Sequence, residues 1–312
     1  MDEKSLGHGV VRRNPLLKRI QKLWRQANGQ KIGKSSVQFN WAVGYDVRDT
    51  IGSIQIKNQG SSSSCGGQAG AYFLEIQERL RNIKEGAISA KSIYSPWQNL
   101  GGGMTVTQLN VQIGAHGANL EATVPSYDAY GNPLTELMMN DQSWKIPAII
   151  KDAGTRAGYT PYDIAEDIET VAQTIQNYGA VFFEIRGQDG NTPSWLSMTP
   201  ALPSKLNANE FWFHYMCCFA AKLVNGQKKI VALQSWGRAV IRNGVTYIIG
   251  DINDPGVQHF GEEWFTSGNI IDAFTFIHDS QVVPVQTKYP TIWQALAIWF
   301  RQQWGLANYL SA

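Results

Sequence analysis

The stretch Asn58-Gln59-Gly60-Ser61-Ser62-Ser63-Ser64-Cys65-Gly66-Gly67-Gln68-Ala69 decides how this 312-residue chain is read. It follows a short strand-like run, Ile54 to Lys57. It leads into a pattern that predicts a helix over 65–82, with Tyr72, Phe73, Ile76 and Leu80 on one face. A cysteine in the first turn of a helix feels unpaired N–H groups and the positive end of the macrodipole, and both favour thiolate over thiol. The four serines before it and the glycines after it predict an accessible sulfur, with backbone N–H groups free to point at an incoming oxygen. Gln59, six residues upstream, offers a side-chain N–H to the same place. A nucleophile beside two oxyanion donors is what acyl transfer requires.

Asn-Gln-Gly followed by Cys at this spacing resembles the active-site segment of the papain-like cysteine proteases (papain/cathepsin family, C1-type). Just upstream, Asp46-Val47-Arg48-Asp49 resembles the start of their mature domain. Downstream, Ser89 to Ile93 precedes Gly101-Gly102-Gly103. In the family a Ser-x-x-x-Leu segment precedes a Gly-Gly pair whose backbone receives an extended substrate, and the resemblance puts Gly102 and Gly103 there. A peptide adding as a short strand needs close backbone approach, which a Cβ would block; on local sequence alone the glycines read equally as a simple turn. The family often joins its active-site loop to the glycine loop by a disulfide. The two matching positions here are Ser62 and Leu100, which suits a reducing compartment.

Further outward, 108–128 reads as a helix ending at Gly114–Ala118 and then a run to Tyr127, with His116 a cap or surface residue. Residues 133–158 read as polar and irregular, a crossing between lobes. Asp163 to Asp167 reads as an acidic first turn of a helix running to Tyr178, followed by a strand from Ala180 to Ile185. Residues 187–209 read as a long surface loop.

The second chemical candidate is His214, alone in the apolar strand-like run Phe211 to Ala221. A lone histidine in such a run is usually a satisfied core residue. This one lies 149 positions after Cys65, within the ~130–150 spacing of the family. It is followed by the turn Asn225-Gly226, a second strand, and Gln234-Ser235-Trp236-Gly237, where the family carries Asn-Ser-Trp-Gly. Cys217 and Cys218 are expected on opposite faces of that strand.

The resemblance covers roughly 45–278 and implies an α+β, papain-like two-lobed fold. A helical lobe (about 45–150) would carry the nucleophile helix, and an antiparallel β-barrel-like lobe (about 151–280) the catalytic histidine. It further implies Cys65 as nucleophile and His214 as its thiolate–imidazolium partner, with Gln234 orienting the imidazole and Gln59 in the oxyanion hole. Gly102, Gly103, Tyr215 and Trp236 would lie on the substrate side, Trp236 also shielding the His214 hydrogen bond. Three positions depart from the family. Gln234 stands for Asn, one methylene longer. Gly66 replaces the aromatic residue after the nucleophile and is expected to loosen the helix start. Tyr215 replaces a small residue after the histidine and is expected to narrow the pocket.

The implied function is a cysteine endopeptidase acting on protein or peptide substrates, without metal or cofactor. The alternative is a papain-fold structural or assembly component, such as one of a phage particle, with weak or no catalysis; an amidase or transglutaminase-like acyl transferase would use the same Cys–His chemistry. The arm 1–44 carries eight Lys or Arg and no acidic residue between Arg12 and Lys34, and Pro15 to Trp24 has helical spacing. The tail 281–312 carries a tryptophan-rich helical pattern around Ile292 to Trp304. Residues 10–34 and 290–310 are therefore candidates for assembly or membrane-surface contact, with packing on the body as the plainer reading. Composition is that of an ordinary globular protein, 43% hydrophobic and 17% charged, and a net charge of +2 is too small to argue for nucleic acid. No nucleic-acid motif, Cys-x-x-Cys or His-Glu-x-x-His is present, three cysteines make no disulfide framework, and no segment reads as a signal peptide or membrane span. The expected location is an intracellular reducing (cytoplasmic) compartment or a virion.

Overall fold

The computed structural model describes residues 31–34, 38–83, 85–97, 102–188, 192–203, 211–242 and 244–281. Leu100, most of the N-terminal arm and the tryptophan-rich tail lie outside the described residues, and with them the expectations placed there.

The strands are β1 (Lys31–Ile32), β2 (Tyr45–Asp46), β3 (Tyr159–Ile164), β4 (Val181–Gln188), β5 (Phe211–Val224), β6 (Gln227–Leu233), β7 (Ala239–Arg242), β8 (Val245–Ile248), β9 (Gly250–Asp251), β10 (Asp254–Pro255), β11 (Val257–Phe260) and β12 (Ile270–His278). Among the described residues they form one large sheet in the order β1-β3-β12-β4-β5-β6-β11-β9-β10, with β2 also pairing along β5. Strands β7 and β8 form a separate hairpin. The central β4-β5-β6 pairs are antiparallel. The β5–β6 turn is tight because Asn225 and Gly226 both take positive φ (51° and 74°), the backbone a two-residue hairpin demands.

Alternation along β5 divides the core. Tyr215, Cys217 and Phe219 join the apolar cluster built on the Cys65 helix; Trp212, Met216 and Cys218 join the cluster on the opposite face, with the helix Ile168–Tyr178 and Trp195, Trp236 and Trp264. The two adjacent cysteines thus face opposite sides, as the alternation predicts. A register shift between Cys218 and Ala220 adds one residue after that point.

The Cys65 helix spans Cys65–Leu80 and is buried as far as Glu78. Three of its buried polar side chains find partners far along the chain. Glu75 takes the Lys57 ammonium at 2.6 Å, Gln77 donates to the Tyr178 carbonyl at 2.7 Å, and Glu78 meets the Arg156 guanidinium at 3.0 Å.

Three expectations change. Residues 187–209 are not simply a surface loop: β4 runs on to Gln188, and the short helix Thr192–Trp195 ends on a fully buried tryptophan. Residues 133–158 are not irregular: they hold the helices Glu136–Asn140, capped by Thr135, and Pro147–Gly154, which opens on its proline. Asp163 and Ile164 end β3 instead of starting a helix. The helix begins at Ile168 because the Asp167 side chain accepts the Thr170 N–H. No helix among the described residues is long and apolar enough to cross a membrane.

Candidate active site

Cys65 is the first residue of its helix. Ser64 stands at the cap position, but its hydroxyl does not cap: it is hydrogen-bonded with Ser62 Oγ at 2.7 Å. The first intrahelical bond runs from Gln68 N to Ser64 O at 2.9 Å, so the N–H groups of Cys65, Gly66 and Gly67 have no acceptor within the helix. No acidic residue lies in the first turn to compete for that field. The expectation of an accessible sulfur is corrected, because Cys65 is fully buried. Nor is the helix start loose. A Cβ on Gly67 would lie 2.7 Å from the Ala90 carbonyl, and one on Gly66 3.0 Å from Met104 Cβ and 3.3 Å from Tyr215 Cδ2. Neighbouring elements close directly onto the backbone there.

His214, in mid-β5 and opposite Ile185 of β4, is also buried. Its Nε2 lies 2.8 Å from Gln234 Oε1. The direction of this bond follows from a chain of fixed acceptors. Gln258 Nε2 lies 2.5 Å from the Trp195 carbonyl and 3.2 Å from that of Ser197, and carbonyls only accept. Gln258 therefore presents Oε1 to Gln234 Nε2, at 2.9 Å. Gln234 in turn presents Oε1 to His214, and the Ser235 N–H donates to the same oxygen at 2.9 Å. His214 must then carry a proton on Nε2 and donate it, a tautomer assigned from the network. The one Gln234 amide thus bonds both His214 and Gln258. Trp236 lies over His214, ring centroids 4.8 Å apart and tilted by 32°, and Trp212 meets the imidazole edge-on at 6.3 Å.

Gln59 enters the same cluster. Its backbone N–H donates to Ser235 O at 2.7 Å, its Oε1 accepts from Ser235 Oγ at 2.5 Å, and its Nε2 donates to Ser62 O at 2.8 Å. Ser235 Oγ also lies 3.4 Å from His214 Nε2. Tyr72, two turns into the Cys65 helix, accepts the Lys57 N–H at 2.5 Å and donates to the Gln234 carbonyl at 2.9 Å. The structure thus joins Gln59, His214 and Gln234 through Ser235. It sets Gly66, next to Cys65, against Tyr215, next to His214.

Gly102 and Gly103 take φ of 73° and 85°, conformations that favour glycine. A Cβ on Gly102 would lie 2.5 Å from Ser63 Oγ, and the Gly103 N–H donates to Tyr94 Oη at 2.9 Å. Tyr215 is buried, its hydroxyl 3.3 Å from Glu184 Oε2. Burial pushes the thiols of Cys217 and Cys218 well up, which makes both poor nucleophiles. Among the described residues no three His, Cys, Asp or Glu side chains gather as metal ligands. Reading along the chain missed Gln258, Ser235 and Glu136. Gln258 and Glu136 lie 24 and 73 residues from the partners they hold, and nothing local marks them.

No protein-family model and no curated protein matches the chain in sequence. Solved structures match in fold. Xylellain, a cysteine protease from Xylella fastidiosa, aligns with a TM-score of 0.59 over 88% of this chain and 95% of its own, at 15% identity. Digestive procathepsin L 3 of Tenebrio molitor larval midgut aligns with a TM-score of 0.57 over 82% and 78%, at 16% identity. The ragweed pollen cysteine protease Amb a 11, in its proform, aligns with 0.55 over 75% and 65%, at 18% identity. The chain has the α+β fold of the papain-like cysteine proteases.

Proposed function

We propose that this chain is a cysteine endopeptidase in which Cys65 is the nucleophile and His214 its partner. The observation that carries the reading is the hydrogen-bond chain from the Trp195 carbonyl through Gln258 and Gln234 to His214 Nε2. It commits Nε2 to donation and leaves Nδ1 to exchange a proton with a thiol. In this reading a peptide lies as a short strand along Gly102 and Gly103. The Cys65 thiolate adds to the scissile carbonyl, and the oxyanion is met by the Cys65 N–H and the Gln59 side-chain N–H. The tetrahedral adduct collapses, the C–N bond breaks, and His214 gives its proton to the leaving amine. Water, deprotonated by His214, then hydrolyses the thioester and restores the thiolate. Tyr215 and Trp236 would shape the cleft beside the histidine. The free thiols of Cys65, Cys217 and Cys218 fit a reducing compartment.

The test is hydrolysis of an internally quenched peptide library by the wild-type chain, Cys65→Ala and His214→Ala. Turnover by wild type that falls to background in both variants supports the reading, and equal turnover by Cys65→Ala contradicts it.

A second role, as an assembly component, has one observation in its favour. The separate β7–β8 hairpin leaves Ile241, Val245, Tyr247 and Ile248 exposed. Substituting these residues by serine or lysine would then change sedimentation of the chain and leave turnover intact.

A further inference from the structure

Glu136 draws together two segments far apart in sequence. Its Oε2 accepts the Ser63 N–H at 2.6 Å, within the loop that leads into Cys65. Its Oε1 accepts the Tyr94 O–H at 2.5 Å and the Asn140 Nδ2–H at 2.9 Å. Tyr94 Oη accepts the Gly103 N–H at 2.9 Å. An unbroken chain therefore runs from the glycine loop through a phenol and a carboxylate to the nucleophile loop. Ser63 meets the glycine loop a second time, because its Oγ occupies the space a Gly102 Cβ would need. Burial, and then the Glu136 carboxylate, push the Tyr94 hydroxyl up, so it stays a donor. Bonds to a carboxylate are the strong kind, and three donors on one group fix its position.

We infer that Glu136 is a positioning residue that sets the spacing between the peptide-receiving backbone at Gly102–Gly103 and the Ser63–Cys65 loop, so that it governs substrate binding without touching the reacting atoms. The inference rests on the peptidase reading and adds to it a determinant of KM. Glu136→Ala removes the clasp and Glu136→Gln keeps an acceptor for Ser63. Tyr94→Phe removes the hydroxyl that joins Gly103 to Glu136, leaves Ser63 and Asn140 on the carboxylate, and keeps the ring in the core.

The experiment uses the full chain and two readouts. One is steady-state kinetics on a peptide extending at least four residues N-terminal to the scissile bond. The other is the rate of Cys65 alkylation by iodoacetamide, a reagent with no peptide backbone to add as a strand. In Glu136→Ala, which loses all three bonds to the carboxylate, KM should rise about 10-fold while kcat and alkylation stay within about 2-fold. Tyr94→Phe should move KM in the same direction by less, with Glu136→Gln between wild type and alanine. If Glu136→Ala does not fold, Tyr94→Phe and Glu136→Gln decide the matter on the same terms. Unchanged KM in the folded variants, with an active wild type, would overturn the clasp alone; so would parallel losses of KM, kcat and alkylation, the mark of a merely structural role. Absence of turnover by the wild-type chain would overturn the peptidase reading and the clasp with it.

Discussion

The β-carbon that Gly66 lacks would lie 3.3 Å from Cδ2 of Tyr215. The space a side chain at position 66 would use is filled by Met104 and, from the strand, by Tyr215 next to His214. Tyr215 is held there by burial beside Phe274 and by its hydroxyl on Glu184. An aromatic residue put back at position 66 has nowhere to go while Tyr215 is present. Gly66→Trp should destabilise the chain by roughly 1–3 kcal/mol through overpacking. Urea unfolding of Gly66→Trp, Tyr215→Ala and the double variant should show a favourable coupling, with the double variant losing less than the two single losses added. Strict additivity would mean that the two positions do not share the space.

Gln258 sets the direction of the whole hydrogen-bond chain to His214. Gln258→Leu leaves Gln234 Nε2 and the Trp195 carbonyl without this partner. Stability should fall by about 1–3 kcal/mol. With the Gln234 amide then held against His214 by the Ser235 N–H alone, kcat should fall about 10-fold while KM holds within about 2-fold. Steady-state kinetics on the folded variant separate this from a general loss of structure, which would move both.

The Lys57–Glu75 pair is almost wholly buried, and Glu75 Oε1 also accepts the Ile88 N–H at 2.7 Å. Glu75→Ala strands an ammonium group in the interior and should cost about 3–5 kcal/mol, measured by urea unfolding. Replacing both partners, Lys57→Met with Glu75→Leu, should recover most of that loss.

His259 gives the fold a pH dependence. Burial, then the nearby Lys222, lower its imidazole to about 4 from the ordinary 6.5, with Asp251 and Asp254 pulling the other way and Lys229 adding to the lowering. The unfolded chain therefore takes up a proton at this site before the folded chain does. This contribution to stability is complete above about pH 6.5 and is lost as pH falls towards about 4, by roughly 3 kcal/mol. His259→Gln should flatten that part of the stability–pH curve, as read from urea midpoints at a series of pH values.

Much of the framework is legible in the sequence where local chemistry is explicit. The Cys65 helix follows from its apolar face, and the β5–β6 hairpin from Asn225-Gly226. The opposite faces of Cys217 and Cys218 follow from strand alternation. What is not legible depends on contacts across long separations. Gln258 and Glu136 are ordinary polar residues until the fold sets a carbonyl or a loop N–H against them. The two short helices in 133–158 have too few turns for an apolar period, and only Thr135 and Pro147 mark their starts. Asp163 misleads for the opposite reason: its acidic run resembles a helix start, yet the alternation from Tyr159 extends the strand and Asp167 is the residue that caps.

The most direct test of the Cys65–His214 pair is the rate of Cys65 alkylation by iodoacetamide as a function of pH, in wild type and His214→Ala, with the modified residue located by mass spectrometry. Burial slows all three sulfurs, so the expected result is read from the pH profile: label on Cys65 and none on Cys217 or Cys218, at a rate already near its plateau at about pH 6, where an ordinary thiol is almost fully protonated. His214→Ala should lose at least about 10-fold of that rate at the same pH. The contradicting result is a Cys65 that reacts only as pH climbs through about 8.5, identically in both proteins.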